Sequence, residues 1–207
     1  MPDRDELKTD LKRAIAPQNR GIRATADDRT LIASLIARIE ALNPTPAPLS
    51  APDLLAGDWR LLYTTSAELL GIDRVPLAQL GEIYQCVRPA ESQIFNIAEI
   101  NSLPYCEALV SVVAGFVPAD VEGQVSTRRV NVRFNRGVIG LQRILGYRSP
   151  AQYIAKLENT EKLNWLQGFD FEINSNRQQG WLEVTYLDED MRIGRGNQGS
   201  LFVLAKS

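Results

Sequence analysis

Trp59 and two late arginines, Arg192 and Arg195, are the residues whose types fit a shared chemistry. A guanidinium over an indole is a favourable cation–π arrangement. An arginine that points into a cavity also binds a carboxylate or phosphate bidentately through its planar fork. Arg192 is the stronger candidate of the two for such a head-group contact. Asp188, Glu189 and Asp190 are three consecutive acids. They lack the spacing and the glycine of a calcium-binding loop and read as a solvated turn between strands; the alternative is that Asp188 pairs with Arg192 or Arg195 and fixes the turn. A second set of cations, Arg128, Arg129, Arg133, Arg136, Arg143, Arg148 and Lys156, falls within residues 123–157, a stretch without a single acid. Residues 158–190 are acidic in compensation. The two stretches either pair across strands or leave a basic face, with Arg129, Arg133 and Arg136 exposed to anionic lipid head groups. Each such residue near an anionic membrane contributes about 1 kcal/mol.

The composition excludes other chemistry. The 207 residues include no histidine, the usual general base near neutral pH and the commonest metal ligand. Ser-His-Asp and Cys-His catalysis and histidine-bearing zinc or haem sites are therefore ruled out within the chain. The formal charge is −2, from 23 basic and 25 acidic residues, which argues against a dedicated nucleic-acid binder. Cys86 and Cys106 form no CxxC motif and are expected as buried free thiols, though spacing alone leaves a disulfide open. No metal or cofactor is expected. No apolar run is long enough to cross a membrane as a helix. The acidic start, with Asp3, Asp5, Glu6 and Asp10, resembles neither a secretory signal nor a transit peptide. The expected location is cytoplasmic and soluble, or peripheral to a membrane.

The elements that must position these residues change period along the chain. Asp3 with Glu6 reads as a capping box, followed by Leu7, Leu11, Ala14 and Ile15 at helical spacing, with Pro17 as the stop. Thr25 and Asp28 open a second helix, whose apolar positions run from Leu31 to Leu42. Residues 1–43 are thus a helical segment. Residues 44–52 are proline-rich and read as a linker, and residues 53–207 as the main domain. There the period becomes 2, with strands expected at 58–65, 81–88, 92–101, 107–117, 124–135, 137–145, 169–175, 181–187, 190–195 and 201–206. Residues 66–80 and 150–166 read as helical or irregular. The fold is therefore mainly β, an antiparallel meander of about eight to ten strands that hides its edges by closing into a barrel. A barrel of about eight strands encloses one small ligand. In the strand at 107–117, Ala108, Val110, Val112, Ala114 and Phe116 share one face, and the small residues leave room inside.

Several blocks in order carry a family resemblance. They are Leu54-Leu55-Ala56-Gly57-Asp58-Trp59-Arg60-Leu61-Leu62-Tyr63, then Gly81-Glu82-Ile83-Tyr84-Gln85, Phe95-Asn96, Tyr186 to Gly196, and Leu201-Phe202-Val203-Leu204. Together they resemble the plastid lipid-associated proteins, or plastid fibrillins, over roughly residues 50–206. The Gly57-x-Trp59 element also resembles the first-strand signature of lipocalins. The resemblance implies a lipocalin-like barrel at thylakoids or lipid droplets that stores, protects or delivers carotenoids, prenylquinones or other lipids. The missing transit peptide points to a cyanobacterial-type member.

Taken together, these readings give a non-enzymatic protein that binds a hydrophobic small molecule. Tyr63, Phe116, Phe134, Tyr186 and Arg192 are expected at the ligand, with Trp59 as a plug at one end of the barrel. The alternative is a scaffold with a filled interior that supports a lipid-biosynthetic enzyme or a photosynthetic complex as its protein partner. Ligand identity and oligomeric state are not written in the sequence.

Overall fold

Asp3 accepts from the Asp5 amide, and the Glu6 carboxylate accepts from the Asp3 amide, so helix α1 (Arg4–Ile15) starts at the predicted capping box. Thr25 and Asp28 do the same for α2 (Ala26–Glu40). The turn between these helices is fastened to the barrel. The Thr64 amide donates to the Arg20 carbonyl at 3.0 Å. Gly21 sits there at φ +109°, where a Cβ would lie 2.3 Å from the Thr64 carbonyl oxygen, so only glycine fits. The structure, a computed structural model, describes residues 3–66, 79–174 and 179–207. Most of the segment expected as helical or irregular at 66–80 lies outside the described residues.

The proline-rich stretch folds into a 3-10 turn (Pro48–Ser50) and a single helical turn, α3 (Pro52–Leu55). The 3-10 turn packs against the fifth and seventh strands, and Leu49 and Leu54 join the apolar interior. The strands are β1 (Gly57–Thr64), β2 (Gln79–Arg88), β3 (Gln93–Asn101), β4 (Ala108–Val121) and β5 (Gln124–Leu141). After helices α4 (Gln142–Leu145) and α5 (Pro150–Glu158) come β6 (Phe169–Glu172), β7 (Gln179–Leu187), β8 (Met191–Gly196) and β9 (Leu201–Lys206). All described pairings within the sheet are antiparallel, in the order β4-β3-β2-β1-β9-β8-β7-β5-β6, and β4 also pairs with β5. That extra pairing closes a barrel of β1–β5 and β7–β9, while β6 extends the wall along the far half of β5.

The expected break at Asn135-Arg136-Gly137 is instead a bulge within one long strand. Val113 pairs with Arg136 and Ala114 with Phe134, leaving Asn135 as the extra residue. The bulge lets one strand serve β4 along its whole length while its two halves face β7 and β6 in turn. The last residues of the strand expected at 137–145 form α4.

Three apolar clusters define the layers. One draws residues from all around the barrel, including Trp59, Leu61, Ile83, Ile94, Ala114, Val132, Val184 and Leu204, and is the interior. A second joins Leu7, Leu11, Ile32, Ile36 and Ile39 to Tyr63, Tyr186, Met191, Ile193 and Val203. Those strand residues come only from β1, β7, β8 and β9, so α1 and α2 cover that outer wall. The third joins Phe95, Ile97, Leu109, Val113 and Val138 to Leu145, Tyr153, Ile154 and Leu157, so α4 and α5 cover the opposite wall. Here the Ser111 and Tyr153 hydroxyls share a hydrogen bond of 2.8 Å.

One charged contact pins α1 to the barrel. Lys8 Nζ donates to Asp188 Oδ2 at 2.7 Å and also to Asp190, and Asp188 accepts from the Tyr186 hydroxyl and from the Met191 and Asp190 amides. Lys8 and Asp188 are both buried. Asp188 is therefore neither solvated nor paired with Arg192 or Arg195: the partner is a lysine 180 residues away. Burial opposes ionisation of Asp188, but the bonds from Lys8, Tyr186 and the two amides outweigh it and hold the carboxyl at about 2. Its ordinary value is 3.8, so this contribution to stability is complete above that pH. It is lost as the pH falls through the folded value. Removing one partner of a buried pair costs about 3–5 kcal/mol. Lys8→Met is expected to lower the unfolding free energy by about 3 kcal/mol in urea denaturation. It should also flatten the acid-induced loss of stability between pH ~4 and ~2.

Candidate functional site

Residues directly opposite in an antiparallel pair point to the same side of the sheet, so the register traces what lines the barrel. Trp59 pairs with Gln85, Gln85 with Asn96, Asn96 with Val112, Val112 with Gly137, and Gly137 with Phe171. Trp59 belongs to the interior cluster, so the whole row faces inward. One step towards the β1–β2 end lies a second inward row, Ile83–Ala98–Val110–Ile139–Phe169. One step the other way lies a third, Val87–Ile94–Ala114–Phe134.

Burial changes along these rows. Val87, Ile94 and Ala114 are buried. Gln85, Asn96, Val112 and Phe171 in the middle row are only half-buried. Ile139 and Phe169 in the last row are exposed. Among the described residues, the inward side chains that keep accessible surface mark a lumen on the β4–β6 side, while Ile83 and Ala98 on β2 and β3 are buried. Gly137 serves this lumen by lacking a side chain: a Cβ there would lie 2.5 Å from Phe171 Cζ. The aromatic ring lies on the glycine and forms part of the wall.

The opposite end is stoppered. Trp59 is fully buried, and its indole Nε1 donates to the Leu55 carbonyl of α3 at 2.9 Å. The Arg192 guanidinium lies 5.1 Å from the indole centroid, and Lys206 Nζ lies 5.2 Å from it. The expected stack on Trp59 thus forms with Arg192. Arg195 instead makes a two-point contact with Glu40 of α2. Arg192 is 2% exposed and pairs with Leu204 on β9, which places it inside. Its Nη2 donates to Gln85 Oε1, and Gln85 Nε2 donates onward to Asn96 Oδ1 at 3.0 Å. No carboxylate of the described residues lies within ion-pair distance of Arg192. Desolvation brings its pKa down to about 9, so it stays charged at neutral pH. The floor of the lumen is therefore a buried cation held by an indole and a carboxamide chain, and the walls above it are apolar.

The other expected site residues fall in different places. Phe116 and Phe134 are half-buried and pack on the interior cluster. Tyr63 and Tyr186 are buried on the outer wall beneath α1 and α2. Strict alternation from Trp59 and Leu61, or from Leu182 and Val184, would turn both tyrosines inward. Register shifts between Leu61 and Tyr63 and between Val184 and Tyr186 turn them outward instead. Gln85 and Asn96 were not anticipated, although each sits between two inward apolar residues at period 2, which is the signal that marks them.

Three cations of the basic stretch, Arg128, Arg129 and Arg136, are paired with acids across strands. Arg129 pairs with Glu183 and stacks on Trp181 at 4.4 Å, and Arg128 also reaches Glu183. Arg136 makes a two-point contact with Asp170 and donates to the Leu157 and Thr160 carbonyls. These bonds hold the Asp170 carboxyl below its ordinary value against the opposing effect of burial. Arg133 is exposed. A solvent-facing groove of about 750 Å³ runs beside Arg136 on the outer wall, lined by Glu91, Gln93, Phe95 and Glu161 among others; it is separate from the lumen. Both cysteines are free thiols. Cys86 is buried, and burial raises its pKa, while Cys106 is exposed rather than buried as expected.

A closed antiparallel barrel, stoppered by a first-strand tryptophan under a late arginine, defines a lipocalin-like protein. The chain belongs to the PAP_fibrillin family, whose model matches residues 5–205. It is 33% identical to plastoglobulin-1, chloroplastic, of Pisum sativum over 97% of this chain and 60% of that protein. It is 33% identical to the chromoplast-specific carotenoid-associated protein of Cucumis sativus, over 97% of this chain and 67% of that protein. It is 33% identical to the plastid-lipid-associated protein of Citrus unshiu, over 98% of this chain and 68% of that protein. The chain thus spans about three fifths of the pea protein's length. No solved structure matches it.

The contact between Phe171 and Gly137 is directly testable. Overpacking a well-packed site costs about 1–3 kcal/mol, so Gly137→Ala is expected to lower the unfolding free energy by that amount. In a Phe171→Ala background the same substitution should cost less than about 0.5 kcal/mol, as measured by a denaturation double-mutant cycle.

Proposed function

We propose that the lumen binds a hydrophobic small molecule, a carotenoid, prenylquinone or other lipid, and that the protein stores, protects or delivers it without chemical conversion. The observation that carries this reading is the half-buried inner row Gln85–Asn96–Val112–Phe171, accessible surface inside a closed wall. An apolar chain placed against Val110, Val112, Ile139 and Phe171 leaves water at about 25 cal/mol per Å² of buried area. The carboxamides of Gln85 and Asn96, with the Arg192 charge behind them, supply the few polar contacts that orient one end of such a molecule. Phe116, Phe134 and Arg192 remain candidate contacts from the stoppered side. The relatives agree in kind: the cucumber protein is named for carotenoid association and the citrus protein for plastid lipid. Residence at a thylakoid or lipid droplet, and a photoprotective role, follow from the same reading.

Filling the lumen tests it. In a tryptophan-quenching titration with a short-chain prenylquinone or with β-carotene delivered from detergent, the unmodified protein is expected to bind one molecule per chain. Val112→Trp, with an unchanged far-UV circular dichroism spectrum, should weaken binding at least tenfold. Undiminished binding by that variant would place the ligand elsewhere. No binding by the unmodified protein would favour a scaffold acting through its surface.

A further inference from the structure

The polar groups at the floor of the lumen form a chain with a fixed direction. A guanidinium has donors and no acceptor. Arg192 donates through Nη2 to Gln85, so the Gln85 amide turns its oxygen towards Arg192 and its nitrogen away. Gln85 Nε2 then donates to Asn96 Oδ1 at 3.0 Å, which turns the Asn96 amide the same way. The group left at the end of the chain is Asn96 Nδ2, a donor with no acceptor among the described residues. Asn96 is only half-buried. Its inward neighbours are apolar: Ile94 and Ala98 on its own strand and Val112 opposite it on β4, followed by Gly137 and Phe171. None of the three inward rows carries a carboxylate. Asp58, next to Trp59, is paired with Arg88 at 2.8 Å. Among the described residues the Arg192 charge is therefore met by an indole face and a carboxamide oxygen, with no anion.

We propose, resting on the reading of the lumen as a ligand site, that the lumen selects its ligand by the polar end: it takes an apolar chain that terminates in an acceptor oxygen, an ionised carboxylate above all, with Asn96 Nδ2 as the contacting donor and Gln85 as the residue that positions it. A carboxylate there accepts from Nδ2 and sets a negative charge at the end of a chain that begins on an unneutralised cation. Among apolar side chains that attraction is weakly screened. A neutral carbonyl satisfies the donor without adding the charge. A hydrocarbon leaves Nδ2 without a partner, and a donor buried unmade is costly. An ammonium has only donors, so it meets Nδ2 donor to donor, with the arginine charge behind. A site built to hydrogen-bond one group rejects ligands lacking it far more strongly than an apolar wall rejects a changed chain length. The walls thus set the chain loosely, and the chain of amides sets the head strictly. Gln85 is what makes its end a donor. A carboxylate in place of the Gln85 amide would accept from Arg192 and from Asn96 alike, so the Asn96 amide would turn over and present Oδ1 to the lumen.

The test uses the whole chain near neutral pH, where a carboxylate and an alkylammonium are both ionised. cis-Parinaric acid, a fluorescent fatty acid, reports binding directly, and palmitate and hexadecylamine, equal in chain length, compete for it. On the unmodified protein palmitate is expected to displace the probe about tenfold or more better than hexadecylamine, the range of one hydrogen bond to a charged group. Asn96→Leu removes the donor and leaves every charge in place. It should weaken palmitate about tenfold and leave hexadecylamine unchanged, whereas a preference set by charge alone would survive it. Gln85→Glu should reverse the order of the two competitors, which a merely structural role for Gln85 would not do. Both variants are expected to keep the far-UV circular dichroism of the unmodified protein, and the comparison of competitors needs no variant at all. Equal displacement by palmitate and hexadecylamine, or an order that neither substitution alters, would overturn the proposal while the lumen still binds the probe. A probe that does not bind, or whose binding Val112→Trp leaves undiminished, would overturn the reading of the lumen and the head selection with it.

Discussion

Everything in this molecule depends on β5 bonding on both of its edges. Its 18 residues pair with β4 on one side and with β7 and then β6 on the other. Without that second seam the sheet would be open, with exposed edges and no inside. Once the wall is closed, side chains of period 2 must choose between a lumen and an outer surface, and both choices need covering. The bulge at Asn135 shifts the phase of the alternation halfway along β5. It keeps Phe134 inside and Val138 outside, under α4 and α5.

The outer surface explains the helices. A barrel wall bearing Tyr63, Tyr186, Met191, Ile193 and Val203 would be insoluble if bare, and the apolar stripes of α1 and α2 are what it packs against. The Lys8–Asp188 contact fixes where they sit. It joins the first helix to the turn between β7 and β8, whose next residues carry Met191 and Arg192. Helix placement and the stoppered floor of the lumen are thus linked within a few residues. Arg192 would be costly to bury alone. The indole and the Gln85 carboxamide hold it in place, and together they set the polar character of one end of an otherwise apolar space.

Much of this was legible in the sequence because the signals are local. Capping boxes need only four residues, so Asp3/Glu6 and Thr25/Asp28 marked both helix starts. Alternation marked the strands, and residue type and position marked a stack on Trp59 by Arg192 or Arg195, of which Arg192 forms it. Bulges are where reading failed. Tyr63 and Tyr186 each stand just beyond a register shift, which no pattern of side chains reports. Asn135-Arg136-Gly137 looked like a turn because Gly137 is there for a different reason, the ring of Phe171 lying upon it. Of the basic stretch at 123–157, Glu183 and Asp170 answer Arg128, Arg129 and Arg136 from neighbouring strands, which pairing across strands allowed.

These parts describe a closed wall whose inward side chains, among the described residues, keep accessible surface on the β4–β6 side. The claim that the lumen itself holds the ligand is tested most directly by photo-cross-linking. A prenylquinone bearing a diazirine on its chain would be irradiated with the protein, and the adducts mapped by peptide mass spectrometry. Adducts on inward positions of β4 and β6, Val110, Val112 and Phe171, are the predicted result. Adducts confined to the outer wall under α1 and α2, or to the groove beside Arg136, would contradict it.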